Sequence, residues 1–291
     1  MSADAEKVSL DPNMTIAIQV AQLEDSLPPT GRRIAAALQE NYPAAGLDTV
    51  ASLARDAGVS SPSVVRFVSQ LGFHSFREFQ EALRDELGGR DASALSQARA
   101  VSKRPHDRLD GHREHLAEGV HLTLSDGNRA AFERAVDLLT AARTVIALGG
   151  DYSRVAADHA VAELCPLRAN VRPLPETALR IAAELADARA DDCWLVLDFR
   201  RYDGRTLRIA EAARARGVKI LLITDRWRSP IEAFSESTLV ARVETAGASD
   251  TLVPAMALVE ALSDAVEHQI GAPALERLEV IDPLRQRIGP R

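Results

Sequence analysis

Two seven-residue runs, CWLVLDF at 193–199 and VKILLIT at 218–224, constrain the fold of this chain more than anything else in it. Apolar residues fill neighbouring as well as alternate positions, so a strand made from either run has two faces to bury. Weaker runs stand at 144–149 (TVIALG), 170–175 (NVRPLP) and 237–243 (STLVARV), and helical periodicity fills the intervals between them. Strands that alternate with amphipathic helices form a parallel sheet covered on both sides. Residues 114–271 are therefore expected to form a five-stranded parallel α/β sandwich. Its last helix, TLVPAMALVEALSDAVEHQI at 251–270, tolerates Pro254 because a first-turn proline loses no helical hydrogen bond. Residues 272–291 read as a loosely held tail.

The texture differs upstream. From Thr15 to Leu87 the pattern is helical throughout, broken at Pro28-Pro29, Gly58 and Gly72. Within it, VASLARDAGVSSPSVVRFVS (50–69) meets each requirement of a helix-turn-helix. Ala54 supplies the small residue where two steeply crossing helices touch, and Gly58 the turn position that accepts a positive φ. Leu53, Ala57, Val59, Val64 and Phe67 have the spacing of inward-facing side chains. Ser60 is placed to cap the second helix and Pro62 suits its first turn. Residues 1–88 are thus expected to be an all-helical DNA-binding domain. Residues 89–113, polar with a proline and clustered Arg and Lys, read as a linker. The fold class is α followed by α/β.

A recognition helix enters the major groove with its N-terminal half. Its outward positions would be Ser61, Pro62, Ser63, Val65, Arg66 and Ser69, with Ser60 at the cap. Arg66 can fork onto guanine or phosphate, the serines can bond phosphates or base edges, and Val65 can touch a thymine methyl. Charge limits what one such module achieves. Between residues 29 and 90 there are seven Arg against seven Asp and Glu, so a single copy gains little from counterion release. A homodimer or homotetramer reading paired half-sites of double-stranded operator DNA is the expected assembly.

The whole chain carries a formal net charge of −7, which argues against a polybasic membrane binder. Cys165 and Cys193 stand alone, without metal-ligand spacing or a disulfide framework, and no metal or cofactor is expected. No apolar run approaches the roughly 20 residues of a membrane span. The start, MSADAEKVSLDPN, lacks the features of a signal peptide. A cytoplasmic location is expected.

In a parallel α/β domain, ligands sit beyond the carboxyl ends of the strands. Three loops there carry suitable chemistry. In GGDYS (149–153), Gly149 and Gly150 permit close backbone approach and Ser153 opens a helix, which makes an anion site. In RRYDGRT (200–206), Arg200, Arg201, Tyr202, Arg205 and Thr206 form a candidate clamp for phosphate or carboxylate; the alternative is an Arg-rich surface loop paired with Asp198 and Asp203. In TDRWRSP (224–230), Thr224 and Ser229 offer hydroxyls, and Trp227 can cover the pocket or stack at a subunit contact.

The stretch from LPPTGRRIAAALQENY through VASLARDAGVSSPSVVRFVSQLGFHSFREFQEALRDEL resembles the N-terminal domain of the MurR/RpiR bacterial transcription regulators. Ser60, Arg66-Phe67 and the Leu71-Gly72-Phe73 turn leading to Phe76 and Phe79 carry that resemblance. The three phenylalanines also make sense as an aromatic seam holding the last helix to the bundle. The resemblance implies a C-terminal sugar isomerase (SIS) domain, matching the α/β half, and a small anionic effector such as a phosphosugar. SIS domains usually carry Gly-x-Gly-x-Ser after the first strand, where this chain has Asp151 in place of the second glycine. Their usual Ser-x-Ser-Gly-x-Thr loop becomes Arg201, Asp203, Gly204 and Thr206, so most of the hydroxyl cradle is replaced. The reading is a ligand-responsive regulator without catalytic residues. The alternatives are a sugar-phosphate isomerase, with Glu163, Glu176, His159 or His268 as base, and an oligomeriser without an effector.

Overall fold

The computed structural model describes residues 15–23, 26–90, 108–245, 247 and 249–288. The chain divides into two units, Met1–Ala92 and Ser93–Arg291.

The first unit is helical: α1 (Ile16–Leu23), α2 (Pro29–Glu40), the single turn α3 (Ala44–Leu47), α4 (Val50–Asp56), α5 (Ser61–Gln70) and α6 (Phe76–Arg90). Its core gathers Ile34 and Leu38 of α2, Leu53 of α4, Phe67 of α5 and Phe79 and Leu83 of α6, all buried. Phe73 meets Phe79 edge-on at 5.4 Å between ring centroids, and Phe76 lies 5.6 Å from it, which gives the expected aromatic seam. The α4–α5 turn passes through Gly58 at φ +62°. Arg33 of α2 steadies it by donating to the Gly58 carbonyl at 2.9 Å.

The described part of the second unit begins with α7 (Arg108–Thr123) and α8 (Arg129–Ala141). Strands and helices then alternate: β1 (Val145–Gly149), α9 (Arg154–Leu164), β2 (Val171–Pro173), α10 (Ala178–Asp187), β3 (Cys193–Asp198), α11 (Gly204–Ala215), β4 (Lys219–Thr224) and β5 (Ser237–Val240). Two long helices follow, α12 (Val253–Ile270) and α13 (Ala272–Ile288). The sheet order is β2-β1-β3-β4-β5, all parallel. Residues of β3 alternate between two cores, Leu195 and Leu197 on one face of the sheet and Trp194 and Val196 on the other. The double apolar face of this run has that physical cause.

Three boundaries differ from the sequence reading. Helix α6 runs on through Gly88-Gly89, and α7 begins at Arg108, inside the expected linker; residues 91–107 of that linker lie outside the described residues. The expected tail is helical over Ala272–Ile288, with Pro283 inside the helix. Its apolar residues Leu275, Val280, Leu284 and Ile288 are exposed, so no buried stripe marks it in the sequence.

Candidate functional site

The first unit presents α5 with one face buried and the other open. Val64, Phe67 and Val68 face the core, while Ser61, Pro62, Val65, Arg66 and Ser69 are exposed. Ser63 is half-buried, and its hydroxyl lies 2.8 Å from that of Ser60. Ser60 occupies the cap position but caps no amide with its side chain, which corrects the expected capping bond: the hydroxyl is engaged with Ser63. Arg55 of α4 and Gln70 of α5 are exposed as well; as ordinary surface residues they carried no signal of their own.

In the second unit the strand order reverses direction between β1 and β3, which is where a doubly wound sheet opens a crevice. A cavity of about 620 Å³ lies there, at the carboxyl ends of these two strands. Gly150–Ser153 forms one wall, Asp198–Gly204 a second, and Val243, Ser249, Asp250 and Leu252 a third. A smaller space of about 170 Å³ adjoins it and includes Gly149, Arg154, Glu176, Arg205 and Thr206. Gly149 is required by packing, since a Cβ there would stand 2.8 Å from both the carbonyl carbon and the hydroxyl of Ser153.

The arginine loop is organised by carboxylates. Arg200, almost fully buried, forms an ion pair with Asp250 Oδ1, and Arg201 reaches Asp250 Oδ2 at 3.0 Å. Burial holds the Arg200 guanidinium below its ordinary pKa. Its far side stacks on Trp227 at 5.1 Å, and Arg226 approaches the same ring at 5.7 Å. Trp227 thus buttresses the clamp. Arg201 adopts φ +71°, a conformation uncommon outside glycine and often found at binding sites. Asp225 ties the loop to the end of β4, accepting from the Arg200 amide, the Tyr202 hydroxyl at 2.8 Å and the Trp227 amide at 3.0 Å. Burial pushes Asp225 up to about 6.

Asp203 caps α11. Its carboxylate accepts the amides of Arg205 (3.1 Å) and Thr206 (3.0 Å) and the Thr206 hydroxyl (2.8 Å). Burial works to raise its pKa, but those hydrogen bonds prevail and hold it below the ordinary value. Asp198, pushed up to about 6 by burial, accepts from the Ser229 hydroxyl and, at 3.4 Å, from the Asp203 amide.

Several expected contacts are thereby corrected. Thr224 and Ser229 line neither cavity. Both are buried behind it, Thr224 donating to the Asp198 carbonyl at 2.6 Å and Ser229 to the Asp198 carboxylate. Thr206 spends its hydroxyl on Asp203, and Arg205 donates to the Glu176 carbonyl at 2.6 Å. The arginine pair is joined to Asp250 rather than to Asp198 or Asp203. Gly150, Ser153, Arg200, Arg201 and Tyr202 do converge on the larger cavity. Asp250 escaped the sequence reading because it lies 49 and 50 residues from its partners, in a stretch with no motif. Of the four candidate bases, Glu176 alone borders either cavity, the smaller one, and it forms an ion pair with Arg154.

A model described as helix-turn-helix domain, rpiR family, matches residues 14–89, and a SIS domain model matches residues 138–264. No curated protein matches the chain in sequence. The sugar isomerase domain of the RpiR transcription factor from Sphaerobacter thermophilus is similar at 25% identity and a TM-score of 0.54, over 60% of this chain and 96% of that one. The Vibrio vulnificus NanR protein complexed with ManNAc-6P is similar over 94% of this chain and 99% of its own, at 19% identity and a TM-score of 0.51. An E. coli CFT073 protein in complex with A5P shares the fold of the second unit, at 11% identity and a TM-score of 0.51, over 60% and 95%. Among the described residues, no helix is long and apolar enough to cross a membrane.

Proposed function

We propose, for a chain that belongs to the RpiR family of transcription regulators and carries a SIS domain behind its helix-turn-helix, that it binds operator DNA through α5 and that a small anionic sugar derivative in the larger SIS cavity changes that binding. The observation that carries the first half is the division of α5: three buried residues hold it in the bundle, and Arg66 stands on the open face among serines and Val65. Such a helix has the donors and the methyl contacts that major-groove reading needs. The second half is supported by a cavity at the strand switch point with two arginines in its wall, and by the sugar phosphate held by NanR, a protein of the same fold.

Residues 29–90 hold seven Arg against seven Asp and Glu, so a half-site bound by one copy is weak; a homo-oligomer bound to two half-sites multiplies the gain. The cytoplasm is where such a regulator meets DNA. The decisive experiment is a gel-shift titration of the full chain against its own upstream DNA at physiological salt. A shifted fragment, changed in affinity by an added ligand, supports the reading. No bound fragment, or turnover of an aldose or ketose phosphate by the purified chain, overturns it.

A further inference from the structure

We infer that the ligand of the larger cavity is a hydroxylated carboxylate, of the sugar-acid class, whose carboxylate seats on Arg200 and Arg201 in place of the Asp250 side chain; this rests on the small-anion reading of the same cavity given above. The N-terminus of α11 is the position where a phosphate would gather helix amides. Asp203 already fills it, accepting the amides of Arg205 and Thr206 and the Thr206 hydroxyl. Asp198 faces the same loop and accepts the Asp203 amide. A phosphate arriving there meets two carboxylates where it needs donors.

The arginine pair, by contrast, already holds a carboxylate. Arg200 takes one oxygen of Asp250 and Arg201 the other, each through one guanidinium nitrogen in a charge-assisted contact. A ligand carboxylate can reproduce both contacts. Asp250 keeps its own charge when it turns out of the pair, so a sugar acid adds one negative charge to a cavity whose walls carry Asp151, Asp198, Asp203 and Asp250 against two arginines. A phosphate dianion adds two. The carboxylates of Asp151 and Asp203, which border the cavity, are acceptors suited to sugar hydroxyls.

The test is calorimetric titration and thermal shift of the full chain with D-gluconate and D-glucuronate, with glucose 6-phosphate, glucose, acetate and inorganic phosphate as comparison probes. A sugar acid should stabilise the wild type more than any comparison probe. Asp250→Asn removes the competing carboxylate and should tighten that binding about tenfold, because the receptive arrangement no longer has to be won from an internal partner. Arg201→Ala should abolish it. Should Asp250→Asn fail to fold, Arg201→Lys serves instead; it keeps the charge, changes the donor geometry, and should weaken sugar acids and acetate alike while leaving glucose unchanged. Preference for glucose 6-phosphate, binding of no probe, or indifference of the sugar acids to these variants overturns the inference. DNA binding is measured separately: a chain that takes sugar acids but shifts no DNA sinks the regulator reading alone.

Discussion

Replacing Asp203 with serine should convert the N-terminus of α11 from a site that repels phosphate into one that accepts it. The carboxylate there satisfies two amides at 3.1 and 3.0 Å and the Thr206 hydroxyl at 2.8 Å. Serine ranks with aspartate as a helix cap, so the cost in stability should stay within about 1 kcal/mol. That corresponds to a melting shift of roughly 2–4 °C in a unit of this size. The electrostatic change is larger. Two unit charges about 5 Å apart near a protein surface repel by about 3 kcal/mol at an effective dielectric of 20, and salt reduces this. A gain of about tenfold or more in affinity for glucose 6-phosphate is therefore expected, since about 1.4 kcal/mol corresponds to a factor of ten. Titration calorimetry of both proteins in the same buffer measures it. Equal phosphate affinity in wild type and Asp203→Ser would show that Asp203 does not set the anion preference, and the electrostatic argument would be wrong.

Arg66→Ala should leave the melting temperature unchanged, weaken operator binding by about 1–3 kcal/mol and, if the contact is to phosphate, lower the salt slope by about one; gel shifts at several salt concentrations read all of this. Gly58→Ala and Gly46→Ala should both destabilise the first unit, for different reasons. At Gly58 a Cβ meets nothing nearer than Arg33 at 4.0 Å, so the cost of about 1–2 kcal/mol is the strain of φ +62°. At Gly46 a Cβ would stand 2.4 Å from Leu83 Cδ1 and 2.9 Å from Leu38 Cδ1, an overpacking cost of about 1–3 kcal/mol; chemical denaturation measures both. Asp198 sits near 6 in the folded chain against an ordinary 3.8. The folded state therefore keeps its proton to higher pH than the unfolded state, and stability falls as pH rises from about 4 through 6. Asp198→Asn should gain on the wild type across that window, by up to about 3 kcal/mol above it, and a constant difference from pH 4.5 to 7.5 would refute the assignment.

How much of this was legible in the sequence depends on the range of the interaction involved. β3 and β4 announce themselves because each buries both faces, and all six residues of β3 are buried. β2, at the sheet edge, pairs through only three residues and is half exposed, so its run is faint. The helix-turn-helix was legible because its requirements fall within twenty residues: Ala54 buried at the crossing, Gly58 at positive φ, Phe67 in the core. The cavity was legible only in part. Residue type and strand end located Arg200 and Arg201, but their partner, Asp250, comes from a loop beyond β5. Thr224 and Ser229 have the right hydroxyls at the right strand end, yet both are spent on supporting Asp198 from behind. Local chemistry names candidates, and tertiary geometry decides which of them face the ligand.

The position of Asp250 gives the last prediction. It stands three residues ahead of Val253, the first residue of α12. Helix α12 packs along α7, where Gly119 lies close enough to Pro254 that a Cβ there would stand 3.1 Å from the proline ring. Helix α7 is the first described element of the second unit. A ligand shifts an equilibrium only by its difference in affinity for the two states, and displacement of Asp250 supplies such a difference at the head of α12. Asp250→Asn removes the side chain's charge from the arginines with no ligand present. In gel shifts it should therefore change operator affinity in the same direction as saturating ligand does in the wild type, and added ligand should then change it little further. A variant that binds ligand more tightly yet retains the full ligand-induced change in DNA affinity would place the coupling somewhere other than the Asp250–α12 junction.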